Sequence, residues 1–210
     1  MNHQALHILY ADEDLLAINK PAGLLTVPGR GIDNQDCLIN RALDAYPNSR
    51  VVHRLDMATS GIVLLPQNHQ SLSALSKQFQ ARTVKKRYCA LVYGCMDADN
   101  GSVDLPLVCD WPNRPRQMVC HTNGKPSQTN YEVVERENGF SRVLLYPITG
   151  RSHQLRVHMQ ALGHPILGDF FYAHERALTP YSRLMLHAEY IAFKHPRTGE
   201  SITLECPPAF

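Results

Sequence analysis

His53-Arg54-Leu55-Asp56-Met57-Ala58-Thr59-Ser60-Gly61 is the stretch on which the reading of this chain turns. It follows Val51-Val52 and runs into the apolar strand Ile62-Val63-Leu64-Leu65. One carboxylate, Asp56, sits there with an imidazole and a guanidinium close by in sequence. The Thr-Ser-Gly turn behind it bends the backbone and supplies hydroxyl and N–H donors. Donors and a nearby cation favour the charged form of a carboxylate. An ionised carboxylate that is aimed can attack an electrophilic carbon. The plainer alternative is an Asx-turn or cap, the commoner use of Asp before Thr and Ser.

Length and composition bound what surrounds that stretch. The chain has 210 residues, enough for one domain or two small ones with a sizeable core. Its apolar share of 44% is that of an ordinary globular protein, and the net charge of +2 announces no nucleic-acid partner by itself. Any contact with a nucleic acid would therefore have to come from a local basic patch. The six cysteines form no C-x-x-C pair, and the eleven histidines show no H-E-x-x-H spacing, so no metal site is expected. Reduced thiols point to a cytoplasmic protein. Asp12, Glu13 and Asp14 argue against a signal peptide, and no run approaches the roughly 20 apolar residues of a membrane span.

Taken in order, 6–10 and 15–19 read as a hairpin around the acidic turn 11–14. Asn19-Lys20-Pro21-Ala22-Gly23 follows as an ordered, irregular segment, with Lys20 read as an exposed loop lysine or a phosphate contact. Asp36 is the expected cap of a helix to Tyr46, and Asn68 of a second one ending near Arg82. Lys85-Lys86-Arg87 leads into the strand 88–93. Segments 101–108, 117–121, 129–135 and 142–146 read as further strands, and 111–116 as a proline-stiffened loop with two arginines and the one tryptophan. Thr149 or Ser152 is the expected cap of a helix ending near Gly163, with Leu155, Met159 and Leu162 on its buried face. Strands at 184–194 and 201–206 close the chain. The expected class is α+β: a large, mixed, mostly antiparallel sheet flanked by helices and loops. The chain is read as one catalytic domain over 1–210, in two lobes around a central cleft.

His-Arg-Leu-Asp-x-x-Thr-Ser-Gly at 53–61 resembles the catalytic signature of the RluA family of RNA pseudouridine synthases, without mismatch. The segment 19–25 looks like that family's first motif, and Gly150-Arg151-Ser152-His153-Gln154-Leu155-Arg156 like its third. The likeness runs from Asn19 to about Pro196, with no room before it for the S4-like domain of many relatives. It implies isomerisation of uridine to pseudouridine, with no cofactor and no metal. It also implies stem-loops of ribosomal and transfer RNA as partners, with no membrane and no obligate protein partner. Asp56 would be the catalytic carboxylate, adding to C1′, adding to C6, or initiating glycal formation. Arg156 would face Asp56 and keep it charged. Tyr88 would stack on the base or help remove the C5 proton.

The target nucleotide must be flipped out of its stack. Arg54 is the candidate to fill the gap or bind phosphate. Lys85, Lys86, Arg114, Arg116 and Arg151 are the core of a backbone track that also draws on Arg50, Arg82 and Lys125. Two rival readings stand beside this one. An N-ribosyl hydrolase would use Asp56 to release free base, but the usual glycosidase mechanism needs a second acid, and no motif marks one. An RNA-binding module without catalysis would not need Asp56, Tyr88 and Arg156 together.

Overall fold

Alternating and fully apolar runs form eleven strands in the computed structural model, which describes residues 5–31, 34–179 and 181–210. The class is α+β, with a large, mostly antiparallel sheet and few helices. The chain divides into two compact units.

The first unit holds the described residues up to Lys86 together with Ala188–Ala209. Strands β1 (His7–Ala11) and β2 (Leu15–Lys20) form the expected hairpin, which Asp12 tightens by accepting from the Asp14 and Leu15 amides, both at 2.8 Å. β2 pairs in turn with β3 (Ser60–Pro66), a strand buried along its whole length. The register sets Lys20 opposite Gly61, so the first two motif segments meet across one ladder.

Helix α1 (Leu38–Ala45) is not capped by Asp36. Both oxygens of that carboxylate are taken by the fork of Arg41, each at 2.7 Å, and Cys37 stands at the cap position with no side-chain bond. Helix α2 (His69–Gln80) is capped by Asn68, whose Oδ1 accepts the Ser71 N–H at 2.8 Å. Leu75 of α2 packs with Leu15, Ala17, Ile62 and Leu64.

The second unit covers Arg87–His187 and Phe210. β4 (Lys85–Tyr93) pairs antiparallel with β9 (Phe140–Pro147), β9 with β8 (Gln128–Glu137), and β8 with β5 (Asn100–Asp104). The strand expected over 101–108 is broken at Pro106, which has no N–H to give a ladder. Its second half, β6 (Leu107–Cys109), pairs with β7 (Gln117–Val119) in a separate ribbon, and 111–113 between them form a 3₁₀ turn.

Helix α3 (Gln154–Ala161) starts after His153, which adopts φ 52° in the left-handed region. Neither Thr149 nor Ser152 caps it. The Thr149 hydroxyl donates to Gln154 Oε1 at 2.7 Å and accepts the Gln128 N–H at 2.8 Å, so a tertiary tie takes the oxygen a cap would have used. The expected one-sided face is not seen either. Gln154, Arg156 and His158 are buried along with Leu155 and Met159, whereas Leu162, at the C-cap, is 36% exposed. A short α4 (Glu175–Leu178), strand β10 (Leu186–Lys194) and strand β11 (Ser201–Glu205) complete the order, with β11 antiparallel to β10.

Gly61 is required by this packing. Its φ is +118°, and a Cβ there would lie 2.3 Å from the Ala188 carbonyl oxygen and 2.5 Å from its nitrogen, neither of which can swing aside. Gly139 has a similar φ of +95° but open space around it. Gly61→Ala is therefore expected to destabilise the fold by more than about 3 kcal/mol, against about 1–2 kcal/mol for Gly139→Ala, as read by urea denaturation.

Candidate active site

In the first unit, the loop that carries Asp56 is tied down on both sides of that residue. The Thr26 hydroxyl donates to the Leu55 carbonyl at 2.8 Å and accepts the Leu55 N–H at 3.2 Å, replacing a missing strand partner. The Met57 carbonyl accepts from the Gly23 N–H at 2.9 Å and from the Lys20 ammonium at 3.2 Å. Asp56 itself opens a tight turn, its main-chain carbonyl accepting the Thr59 N–H at 3.1 Å. This turn is closed by main-chain atoms, not by the Asp56 carboxylate, and the half-buried side chain stands on a fixed loop.

Lys20 is not the exposed lysine of the sequence reading. It is 0% exposed, and its Nζ also donates to the carbonyls of Pro21 at 2.9 Å and Leu24 at 2.7 Å. An ammonium has three protons to donate, and three carbonyls take them here. The first motif is thus the clamp of the second.

His53 anchors the loop's entry. Its Nε2 accepts the Leu64 N–H of β3 at 2.9 Å, and its ring stacks on Phe79 with centroids 4.8 Å apart. Accepting at Nε2 fixes the neutral tautomer with the proton on Nδ1. Burial, with the Lys86 charge adding to it, pushes the imidazole down to about 3. Burial, and the nearby Arg82 charge, also lower Lys86, which is half-buried and so only partly available to a phosphate track. Arg54 and Lys85 are exposed.

In the second unit, the third motif places Arg156 on α3, 3% exposed. Its Nε and Nη2 donate to Asp169 Oδ2 and Oδ1 at 2.7 and 2.6 Å, a bidentate pair in which Asp169 is 0% exposed. Asp169 Oδ1 also accepts the N–H groups of Phe171 and Tyr172. The guanidinium carbon lies 5.3 Å from the Phe171 ring and 5.1 Å from that of Tyr172. This partner was not read from the sequence, where Asp169 follows the turn-rich segment Gly163-His164-Pro165-Ile166-Leu167-Gly168.

Gln154 is saturated: Oε1 accepts from the Thr149 hydroxyl and the Arg151 N–H, and Nε2 donates to Gln128 O and Thr129 Oγ1. Tyr88 is half-buried on β4 opposite Leu145. Arg114 is exposed, Arg116 half-buried, and Arg151 exposed with its Nε donating to Pro126 O at 3.3 Å. The first unit thus gathers Arg54, Asp56, Lys85 and Lys86, and the second gathers Tyr88, Arg114, Arg116, Arg151 and Arg156.

Asp12, Asp14 and His195 lie close enough to offer ligands to a cation. Their atoms are engaged instead. Asp12 Oδ2 accepts from Tyr10 and His195, and Asp14 Oδ1 accepts from Asn68 and Ser71. Asp14 Oδ2 pairs with Arg197 at 2.5 Å, and His195 Nδ1 accepts the Arg197 and Thr198 N–H groups. The group is a saturated latch between the first hairpin and the last one.

The mostly antiparallel α+β fold, the clamped aspartate loop and the helix bearing a buried arginine carry the motif segments by which the chain resembles the RNA pseudouridylate synthases. The family model for RNA pseudouridylate synthase matches residues 14–161. The dual-specificity RNA pseudouridine synthase RluA of Escherichia coli (strain K12) is 52% identical over 206 residues, covering 98% of this chain and 94% of its own. Its namesake from Yersinia pestis is 50% identical over 204 residues, covering 97% and 99%. Human RNA Pseudouridylate Synthase Domain Containing 1 superposes with a TM-score of 0.81 at 30% identity, covering 100% of this chain and 87% of that one. The chain belongs to the RNA pseudouridylate synthase family, whose members are isomerases.

The buried ionisable groups give two expectations. Above pH 6.5, His53 is neutral folded and unfolded. Below it, the unfolded chain takes up a proton that the folded imidazole refuses, so stability falls with pH at about 1.4 kcal/mol per unit for this group. His53→Gln keeps an acceptor for Leu64 and cannot titrate. Its urea stability should lose that part of the slope between pH 6.5 and 4.5 while staying near wild type at pH 8. Asp169→Asn strips the carboxylate from a buried guanidinium and should cost about 3–5 kcal/mol in the same assay at pH 7.5.

Proposed function

We propose that this protein isomerises uridine to pseudouridine in RNA stem-loops of two classes, 23S ribosomal RNA and the anticodon stem-loop of transfer RNAs. The dual specificity of its relatives supports two RNA classes. The observation that carries the reading is the fixation of the Asp56 loop by Lys20, Gly23 and Thr26. A carboxylate that must meet one carbon of one extruded nucleoside gains most from a backbone already held in place.

In this reaction the N1–C1′ bond breaks, the uracil turns over, and C5 bonds to C1′. The C5 proton then leaves, and N1 ends protonated. Atoms balance without an oxidant or a hydrolytic water. Asp56 is the group we assign to the sugar–base junction. Arg156 is the cation we assign to keep that carboxylate ionised, supported by its rigid bidentate seating on Asp169. Tyr88 is assigned to the face of the base. Arg54, Lys85, Lys86, Arg114, Arg116 and Arg151 are assigned to the RNA backbone, with Arg54 also filling the gap left by the flipped nucleotide. The whole chain serves as one catalytic domain, acting in the cytoplasm. Among the described residues no helix is long and apolar enough to cross a membrane.

The test incubates the protein with ribosomal and transfer RNA transcripts and maps pseudouridine by chemical labelling. Wild type should label discrete uridines in both classes. Asp56→Asn should lower conversion at least about 10³-fold while stem-loop affinity stays within a factor of about three. An unchanged rate in Asp56→Asn would remove Asp56 from the chemistry, and free uracil in the supernatant would favour the hydrolase.

A further inference from the structure

Phe170 is the most exposed large hydrophobic residue among those described, at 79%, yet the residues on either side of it are tied by hydrogen bonds. Asp169 before it is buried in the pair with Arg156, and the Phe171 N–H after it is held by Asp169 Oδ1 at 2.9 Å. The Phe170 ring meets Phe171 edge-on, with centroids 5.8 Å apart. A single exposed ring is ordinary, but two of them on joined segments with cations between them form a surface that a ligand can cover.

A second bare aromatic is tied to the same segment. Trp111 is 67% exposed, and the Arg114 guanidinium lies 4.1 Å from its ring centroid. The loop that bears both is fastened to the Phe170 turn at two points. The Arg116 Nη2 donates to the Phe171 carbonyl, and the Gln117 N–H donates to the Tyr172 hydroxyl at 2.7 Å. That hydroxyl also meets His153 Nδ1 at 2.7 Å, linking the loop to the third motif. Two flat rings, each on an anchored backbone, therefore stand on adjoining segments with Arg114 and Arg116 among them.

We propose that Phe170 and the Arg114-backed Trp111 form a stacking surface for unpaired bases of the RNA substrate. The inference rests on the reading of this chain as an RNA-modifying enzyme and deepens it by naming residues that recognise the looped nucleotides. Single-stranded nucleotides bring π-faces for the rings and phosphates for the arginines. A protein partner covering the same rings would have to desolvate both guanidinium groups, which a nucleic acid neutralises instead. Aromatic stacking tolerates many bases, so the surface suits an enzyme that accepts more than one loop.

The chain has one tryptophan, so its fluorescence reports on Trp111 alone. A target stem-loop should quench that emission, and the same sequence closed into an uninterrupted duplex should not. Phe170→Ala and Trp111→Ala should each raise the stem-loop Kd about tenfold or more, measured by anisotropy, with KM rising more than kcat falls. Phe170→Tyr should bind like wild type. Both side chains are exposed, so circular dichroism and melting curves of the variants should match wild type. The proposal is overturned if wild type converts its RNA while both alanine variants bind the stem-loop as tightly as wild type. It is also overturned if the loss is equal on the uninterrupted duplex, or if Phe170→Ala instead abolishes a concentration-dependent dimer seen by sedimentation. Failure of wild type to bind or convert any RNA would instead strike the enzymatic reading itself.

Discussion

The Met57 carbonyl, one peptide beyond Asp56, takes protons from a buried ammonium and from the Gly23 amide at once. The rest of the first unit is arranged so that this can happen. Burying a lysine head group is costly unless every proton finds an acceptor, and here the acceptors are three main-chain carbonyls. Main-chain carbonyls cannot rotate away as carboxylates on flexible stems can. The ammonium therefore fixes the relative positions of three backbone points, at Pro21, Leu24 and Met57. β2 brings Lys20 to that spot by pairing with β3, and Gly61 lets β3 approach β10 closely enough for the ladder to continue past the turn. Thr26 and His53 remove the remaining freedom at Leu55 and at the loop's entry.

The second unit solves a related problem with a different cation. Arg156 is held by a carboxylate, because a guanidinium presents a planar fork that one carboxylate can fill and still leave other N–H groups over. Asp169 fills two of those positions and uses spare lone-pair capacity to bind the amides two and three residues further along its own turn. The pair is weak evidence for stability, because desolvating both charges offsets most of their attraction. Its stronger effect is on geometry. The same carboxylate that orients Arg156 also shapes the turn carrying Phe170, Phe171 and Tyr172, and the Tyr172 hydroxyl in turn meets the ring of His153, the left-handed residue at the start of α3. A helix start, an arginine and an aromatic turn thus share one hydrogen-bonded centre.

Local signals in the sequence located most strands, both flanking hairpins and the Asn68 cap, because those depend on patterns within a few residues. The motif segments were equally legible as segments. What the sequence did not disclose was how they serve one another. Lys20 reads as a solvated charge because lysines in Pro-Gly loops usually are, and only a partner 37 residues away turns it into a clamp. Asp36 and Thr149 both carry good capping chemistry, but each is claimed by a side chain whose reach composition cannot reveal. α3 defeats the amphipathic reading for a related reason. Its polar residues are buried because Thr129, Leu105 and Asp169 meet them from elsewhere in the chain. Misreadings therefore cluster where polar side chains are satisfied by other side chains or by distant backbone, at Asp36 outside the motifs and at Lys20 and α3 within them.

That clustering bears on why a signature of such modest residues is so complete here. Of the nine residues at 53–61, Asp56 alone carries the proposed chemistry, while His53, Leu55, Met57, Thr59 and Gly61 enter hydrogen bonds or close approaches that fix its backbone. His53 acts through its ring and Gly61 through its lack of a Cβ, so substituting either would leave the charge of Asp56 intact and change where it stands, whereas Leu55, Met57 and Thr59 act through main-chain atoms that any residue but proline supplies. For a reaction that must detach a base and rejoin it through a different atom, where the carboxylate stands relative to C1′ matters as much as its charge. The motif is then best understood as a specification of backbone position, with a single ionisable group at its centre.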